Sequence, residues 1–133
     1  MFKLFSVEEA TELLPFVDAQ VRAMQEALAE LQRLRTVLQQ TKSWSVEAYN
    51  ISQESNFLMR DIQSSKAELD RLGVFLSDIE KGTVDFPSQL GAEVVCLSWL
   101  PGEKSINYYH RLNEAAQTRH PLSSSMPQPH NQA

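Results

Sequence analysis

The chain is short of the residues that cross-link small proteins or shape a loop around phosphate. It has one cysteine, Cys96, in 133 residues, which excludes an internal disulfide and agrees with a reducing compartment. Its four glycines are scattered, so there is no glycine-rich phosphate loop. There is no CxxC pair, no nucleophile elbow, and no Cys and His at the spacing of a zinc motif. No uncharged apolar run approaches the length of a membrane span. Glu8, Glu9 and Glu12 come too early for the apolar core of a signal peptide. Positive charge is also scarce: 12 Lys and Arg against 17 Asp and Glu leave a net charge of −5. The basic face that nucleic acid or an anionic membrane requires is not visible. These absences lead to the expectation of a cytoplasmic protein with no cofactor, and with neither nucleic acid nor membrane as partner.

What is present is enough for one folded domain. The length fits a single domain, and 42% hydrophobic with 22% charged residues excludes a wholly disordered chain. Ser6 followed by Glu9 reads as a capping box that starts a helix. Pro15 then either kinks that helix or starts a second one. Leu14, Val17, Val21, Met24, Leu28, Leu31, Arg35 and Leu38 alternate in steps of three and four, one apolar stripe with a single charged member. A second stripe runs Trp44, Ala48, Ile51, Ser55, Leu58, Ile62, Ser65, Leu69, Leu72. The two are out of phase, so the chain is expected to turn near Gln40–Ser43. The result is a long antiparallel, coiled-coil-like two-helix hairpin over about 7–72. Gly73 is the expected left-handed cap at its end.

A small antiparallel β unit is expected next, over about 73–110, giving an α+β fold. Val74–Leu76 and Thr83–Phe86 read as strands, with a stop at Pro87. Glu93–Trp99 and Ser105–His110 read as a hairpin about Leu100-Pro101-Gly102-Glu103, whose central Pro-Gly is the type II signature. That register sets Leu97 opposite Ile106, Val95 opposite Tyr108 and Glu93 opposite His110. It places Trp99 and Tyr108 on the core face and Cys96, Ser98 and Tyr109 on the other. A longer loop would alter it, because type II turns splay two-residue hairpins. Residues 1–121 are read as one domain, and 122–133, polar and interrupted by proline, as a disordered tail.

Several segments resemble a family of small bacterial proteins catalogued as domain of unknown function 2203. They are Phe5-Ser6-Val7-Glu8-Glu9-Ala10, Leu13-Leu14-Pro15, Gly73-Val74, Gly82-Thr83-Val84-Asp85-Phe86-Pro87, Trp99, Gly102-Glu103, Ile106, Tyr109-His110, Arg119 and Pro121. The resemblance implies a long helical pair with a small sheet, and no activity. The chain departs from the family where Ser98 replaces a usual Cys, and where Ala115 and Ala116 replace Gly and an aromatic.

The polar residues singled out as candidate binding groups are Asp85, Glu93, Glu103, Tyr109, His110, Glu114 and Arg119. His110 opposite Glu93 would be an oriented histidine, and Glu114 four residues on would share its face if 110–118 were helical; a carboxylate–histidine metal site at His110 and Glu114 is then conceivable. The blander readings are a cross-strand ion pair with a solvated helix end, and Asp85 as a turn cap. No catalytic residue is assigned. The leading expectation is a non-enzymatic interaction protein that forms a homodimer, or docks a partner protein, through its helix seam. The alternative is a small-ligand or metal-binding protein, or an enzyme, using carboxylates and a histidine on the β unit.

Overall fold

The computed structural model describes residues 3–122. It is an α+β fold: helix α1 (Val7–Gln39) and helix α2 (Val46–Leu72) precede strands β1 (Phe75–Asp78), β2 (Thr83–Leu90), β3 (Glu93–Trp99), β4 (Tyr108–Arg111) and β5 (His120–Pro121). The strands form one antiparallel meander in the order β1-β2-β3-β4-β5. The sheet therefore runs past residue 110, where the β unit was expected to end. Of the tail expected over 122–133, all but Leu122 lies outside the described residues. The Leu122 amide donates to the Asn107 carbonyl, and its side chain packs on the core.

The capping box forms as the residue types require. Ser6 Oγ accepts from the Glu9 amide at 3.0 Å, and the Glu9 carboxylate accepts from the Ser6 amide at 2.9 Å. Pro15 neither breaks α1 nor starts a new helix. It lies on the solvent side, where water can meet the Thr11 carbonyl that loses its intrahelical bond. The chain leaves α1 at Gln40 and re-enters a helix behind the Ser45 cap. Gly73 closes α2 at φ 85°.

The α2 stripe is buried or half-buried at every position from Ala48 to Leu72; only Trp44, ahead of the helix, is left out. The α1 stripe is buried from Leu14 to Met24, then shifts one residue back to Ala27 and Leu34, leaving Leu38 exposed. A straight helix drifts by about 20° per heptad against a seven-residue repeat, which accounts for the shift. Leu14, Val17, Val21, Met24 and Leu69 share one core with Val84, Phe86, Val95, Leu97 and Trp99 of the sheet. Ala27, Leu34, Ala48 and Ile51 are buried outside that core. The distal half of the hairpin thus extends beyond the sheet, held by one narrow seam.

Two strand expectations are corrected. β2 does not stop at Pro87 but continues to Leu90. In an antiparallel ladder the N–H and C=O of one residue point to the same side. The Pro87 carbonyl accepts from the Phe5 amide at 2.7 Å, on the side away from β3. The absent N–H is therefore one that the β2–β3 ladder never used. Ser88 Oγ, buried, donates to the Phe5 carbonyl and completes this clasp on the N-terminal segment.

The β3–β4 register also differs, by three residues. Leu97 pairs with Tyr109 and Cys96 with His110, not Leu97 with Ile106. The Pro-Gly turn does form, with the Glu103 amide donating to the Leu100 carbonyl and Gly102 at φ 97°. It lies inside a longer connection, because β4 begins only at Tyr108. An odd shift exchanges faces. Tyr109 enters the core, and Tyr108 turns to the opposite face beside Ser98.

Two glycines separate backbone strain from crowding. Gly82 has φ 77°, and a Cβ there would lie 2.6 Å from Pro101 Cγ and 2.9 Å from both Gln25 Nε2 and Val21 Cγ1. Gly102 has φ 97° but open space around it. Gly102→Ala is expected to cost about 1–2 kcal/mol from the left-handed backbone alone, and Gly82→Ala about 2–5 kcal/mol once overpacking is added. Urea-unfolding midpoints at unchanged m-value check the difference.

Candidate functional site

The sheet face turned away from the helices gathers most of the chain's convergent polar groups. Alternation along β2 places Asp85 there, while Val84 and Phe86 enter the core. Asp85 is thus a mid-strand residue and not a turn cap. Alternation along β3 adds Cys96 and Ser98, and β4 adds Tyr108 and His110. Asp85 pairs with Ser98, and Cys96 with His110, so the three central strands bring these side chains together. Asp85, Ser98 and His110 are buried, and Cys96 retains 9% of its surface.

Asp85, Cys96 and His110 form the inner group. One carboxylate oxygen, the thiol sulfur and one ring nitrogen lie within 4.8 Å of one another. His110 Nε2 is 3.1 Å from Asp85 Oδ1, and the two side chains are 6% and 10% exposed. Despite that distance the two atoms are poorly aligned, and neither has a hydrogen bond of acceptable direction. His110 Nδ1 lies 3.0 Å from the Arg111 carbonyl. A carbonyl only accepts, so Nδ1 carries a proton, and Nε2 is the ring nitrogen on the Asp85 side. Burial pushes the Asp85 carboxyl above its ordinary range, and the nearby His110 and Arg119 counter this only in part. Burial, with a contribution from Asp85, raises the Cys96 thiol to about 11, so the bare thiol is protonated and inert.

Arg119 forms the second group, a clamp over the same face. Its Nη1 and Nη2 donate to the two Glu103 oxygens at 2.9 and 2.7 Å, and Nε and Nη2 reach Ser98 Oγ and the Ser98 carbonyl, both at 3.1 Å. The guanidinium also stacks 4.2 Å from the Tyr108 ring centroid. Glu103 is fixed from its other side: it accepts from the Leu100 amide at 2.9 Å, and its carbonyl accepts from Trp99 Nε1 at 2.8 Å. Burial alone would raise the Glu103 carboxyl, but the hydrogen bonds from Arg119 and Leu100, together with the Arg119 charge, hold it below the usual range.

The remaining candidates lie at the rim. Glu93 pairs with Arg111 at 3.3 Å and not with His110, as the shifted register requires. Residues 110–118 are not helical, so His110 and Glu114 share no helix face. Glu114 instead accepts from the Arg111 amide at 2.8 Å and meets His120 Nε2 at 2.9 Å. The backbone bond from Arg111 and the contact with His120 lower its carboxyl. Tyr109 is a core residue whose ring lies 5.3 Å from that of His120. Sequence reasoning thus named Asp85, His110, Glu103 and Arg119, but missed Cys96, Ser98 and His120. Cys96 and Ser98 share a face by two-residue alternation, a signal that acquires a partner only once the register is known.

The chain matches the family described as Uncharacterized conserved protein (DUF2203) over residues 3–122. It belongs to that family. No curated protein and no solved structure matches it. Membership of DUF2203 carries no assigned activity. No helix among the described residues is long and apolar enough to cross a membrane.

Glu103→Gln is expected to destabilise the protein by about 1–3 kcal/mol near neutral pH, because it leaves a half-buried guanidinium without its counter-ion. The folded Glu103 holds its proton more weakly than the unfolded chain does. Its contribution is therefore complete above the ordinary carboxylate range and lost as pH falls through the lowered folded value. The gap between wild type and variant should close on acidification, as denaturant titrations across pH will record.

Proposed function

We propose that this DUF2203 protein is a non-enzymatic interaction protein, cytoplasmic, that self-associates through the tip of its helical hairpin. The observation that carries this reading is the exposure of Trp44. It is 100% exposed, and Val46 at 77% and Tyr49 at 64% flank it. Trp44 itself lines a groove of about 580 Å³, together with Leu38, Thr41, Ser45, Ala48 and Tyr49. The expected route, the helix seam itself, is largely occupied: the two stripes face each other and the sheet. The tip carries the most exposed large apolar side chain among the described residues, Trp44, at the end of a hairpin longer than its core needs.

Trp44 is at once the most exposed apolar side chain of the tip and a wall of its groove. Two copies related by a two-fold axis would pack these patches together, each indole against the partner's patch. A buried indole removes about 150–250 Å² from water, so two exchanged indoles supply several kcal/mol. That offsets the cost of association only narrowly and points to a weak dimer. The net charge of −5 argues against nucleic acid as the alternative partner.

Sedimentation equilibrium should give a concentration-dependent dimer at tens of micromolar. Trp44→Ala should be monomeric over the same range, with stability within about 0.5 kcal/mol of wild type because the indole has no intramolecular burial to lose. A wild-type monomer throughout that range would remove self-association through the tip.

A second reading, a small-ligand or metal-binding protein using the sheet face, is favoured by one observation: Asp85 Oδ1 and His110 Nε2 are buried together without hydrogen bonds. Native mass spectrometry of protein purified without chelator tests it. A defined extra mass that disappears in His110→Gln supports it, and a bare chain removes it.

A further inference from the structure

Asp85 Oδ1 and His110 Nε2 are buried side by side, and neither makes a hydrogen bond. With Nδ1 donating to the Arg111 carbonyl, His110 Nε2 lies 3.1 Å from Asp85 Oδ1 but off the line of a hydrogen bond, as two ligands of one ion would lie. Buried polar atoms without partners are rare, and those that occur call for a strain, catalytic or ion-binding explanation. We propose that Asp85, Cys96 and His110 form a binding site for a divalent transition metal of the zinc class. The proposal rests on the second reading above, a ligand or metal site on the sheet face, and names its ligand.

Three observations support a metal over a proton. The first is the donor set. One imidazole, one thiol and one carboxylate suit a borderline-soft ion, whereas Mg²⁺ and Ca²⁺ take oxygen ligands. The second is spacing. Metal–nitrogen and metal–oxygen bonds of about 2.0–2.1 Å give a tetrahedral edge of roughly 3.3 Å, close to the 3.1 Å seen between Nε2 and Oδ1. The Cys96 sulfur lies within 4.8 Å of a His110 ring nitrogen and an Asp85 carboxylate oxygen. The third is orientation. The Arg111 carbonyl on Nδ1 is the outer partner that fixes tautomer and ring plane in histidine metal sites.

Charge agrees as well. A divalent ion with one carboxylate and one thiolate sums to zero, which suits a site under the surface. The nearby Arg119 guanidinium does not oppose this, because Glu103 neutralises it through two hydrogen bonds. Binding would displace the thiol proton, as metals do from coordinating cysteines. Three protein ligands leave a fourth position for water or a small molecule, the arrangement of open rather than closed zinc sites.

Cobalt(II) is the probe, because its thiolate complexes absorb in the near ultraviolet. Chelator-treated full-length protein, titrated with Co²⁺ near neutral pH, should take up one ion per chain and develop a thiolate-to-cobalt band. Zn²⁺ should abolish that band stoichiometrically, and Mg²⁺ should not. Cys96→Ser should lose the band, and His110→Gln should lose binding by at least tenfold. His120→Gln, at the rim, should change neither. Far-UV circular dichroism and melting of each variant without metal show that it is folded. If Cys96→Ser proves unfolded, the wild-type band and the His120→Gln control still decide the matter.

No stoichiometric uptake by folded wild type, uptake without a thiolate band, or uptake that follows His120 instead of His110 would each overturn the proposal. A non-metal mass found on the native protein and lost in His110→Gln would also overturn it, while leaving the sheet-site reading intact. A bare protein that ignores Co²⁺ removes both.

Discussion

Strands β3 and β4 meet at Cys96 and His110, and the polar face of the sheet depends on that pairing. A slip of one residue would turn His110 into the apolar core and Tyr109 out of it. The pairing is set by groups far apart in sequence. Glu103 holds the β3–β4 connection by accepting from the Leu100 amide and from Trp99 Nε1. Arg119, just ahead of β5, joins Glu103 to Ser98. Leu122 ties the end of β5 to Asn107. The register is therefore locked by a charged clamp on one face and by Leu97, Trp99 and Tyr109 on the other.

β3 is the strand on which both faces rely. Its residues are buried from Val95 to Trp99, as in a strand covered on both sides. Val95, Leu97 and Trp99 meet the helices, and Cys96 and Ser98 lie among buried polar groups. Covering the outer face with polar side chains costs more than covering it with apolar ones, unless every group is paired. Arg119, Glu103 and Ser98 meet that condition; Asp85 and His110 do not. The unpaired atoms coincide with the only cysteine of the chain. That coincidence is the ground on which a metal site is proposed there.

The helical half was legible because its determinants are local. The capping box, the two stripes, the turn after Gln39 and the Gly73 cap each follow from residues within a few positions of one another. The sheet was legible in its strands and in its Pro-Gly turn, but not in its register. The connection before β4 is longer than the turn inside it, and the contacts that fix its length come from Arg119 and Leu122. Pro87 misled for a related reason: whether proline stops a strand depends on which neighbour its N–H would face, and here that neighbour is Phe5. Asp85, His110, Glu103 and Arg119 were recognisable as candidates, yet the partner assigned to His110 was wrong by the same three-residue shift. Cys96 was passed over because its partners adjoin it only across strands.

The hairpin and the sheet obey different constraints. Leu14 to Met24 of α1 are needed to close the sheet core. Beyond Ala27 the helices bury only a narrow seam, whose buried members are Leu34, Ala48 and Ile51. Such a pair gains little from its own packing and pays the ordering cost of two more helical segments. The self-association proposed for the tip, which carries the fully exposed Trp44, would give that length a purpose that folding alone does not. The polar sheet face is the converse case: it lies within the stable core and sacrifices stability at Asp85 and His110. Local violations of folding economy cluster where a protein does something else, and in this chain they occur at two places, the hairpin tip and the Asp85–Cys96–His110 group. The sheet core separates them, so a partner at the tip and an ion at the sheet could be accommodated independently.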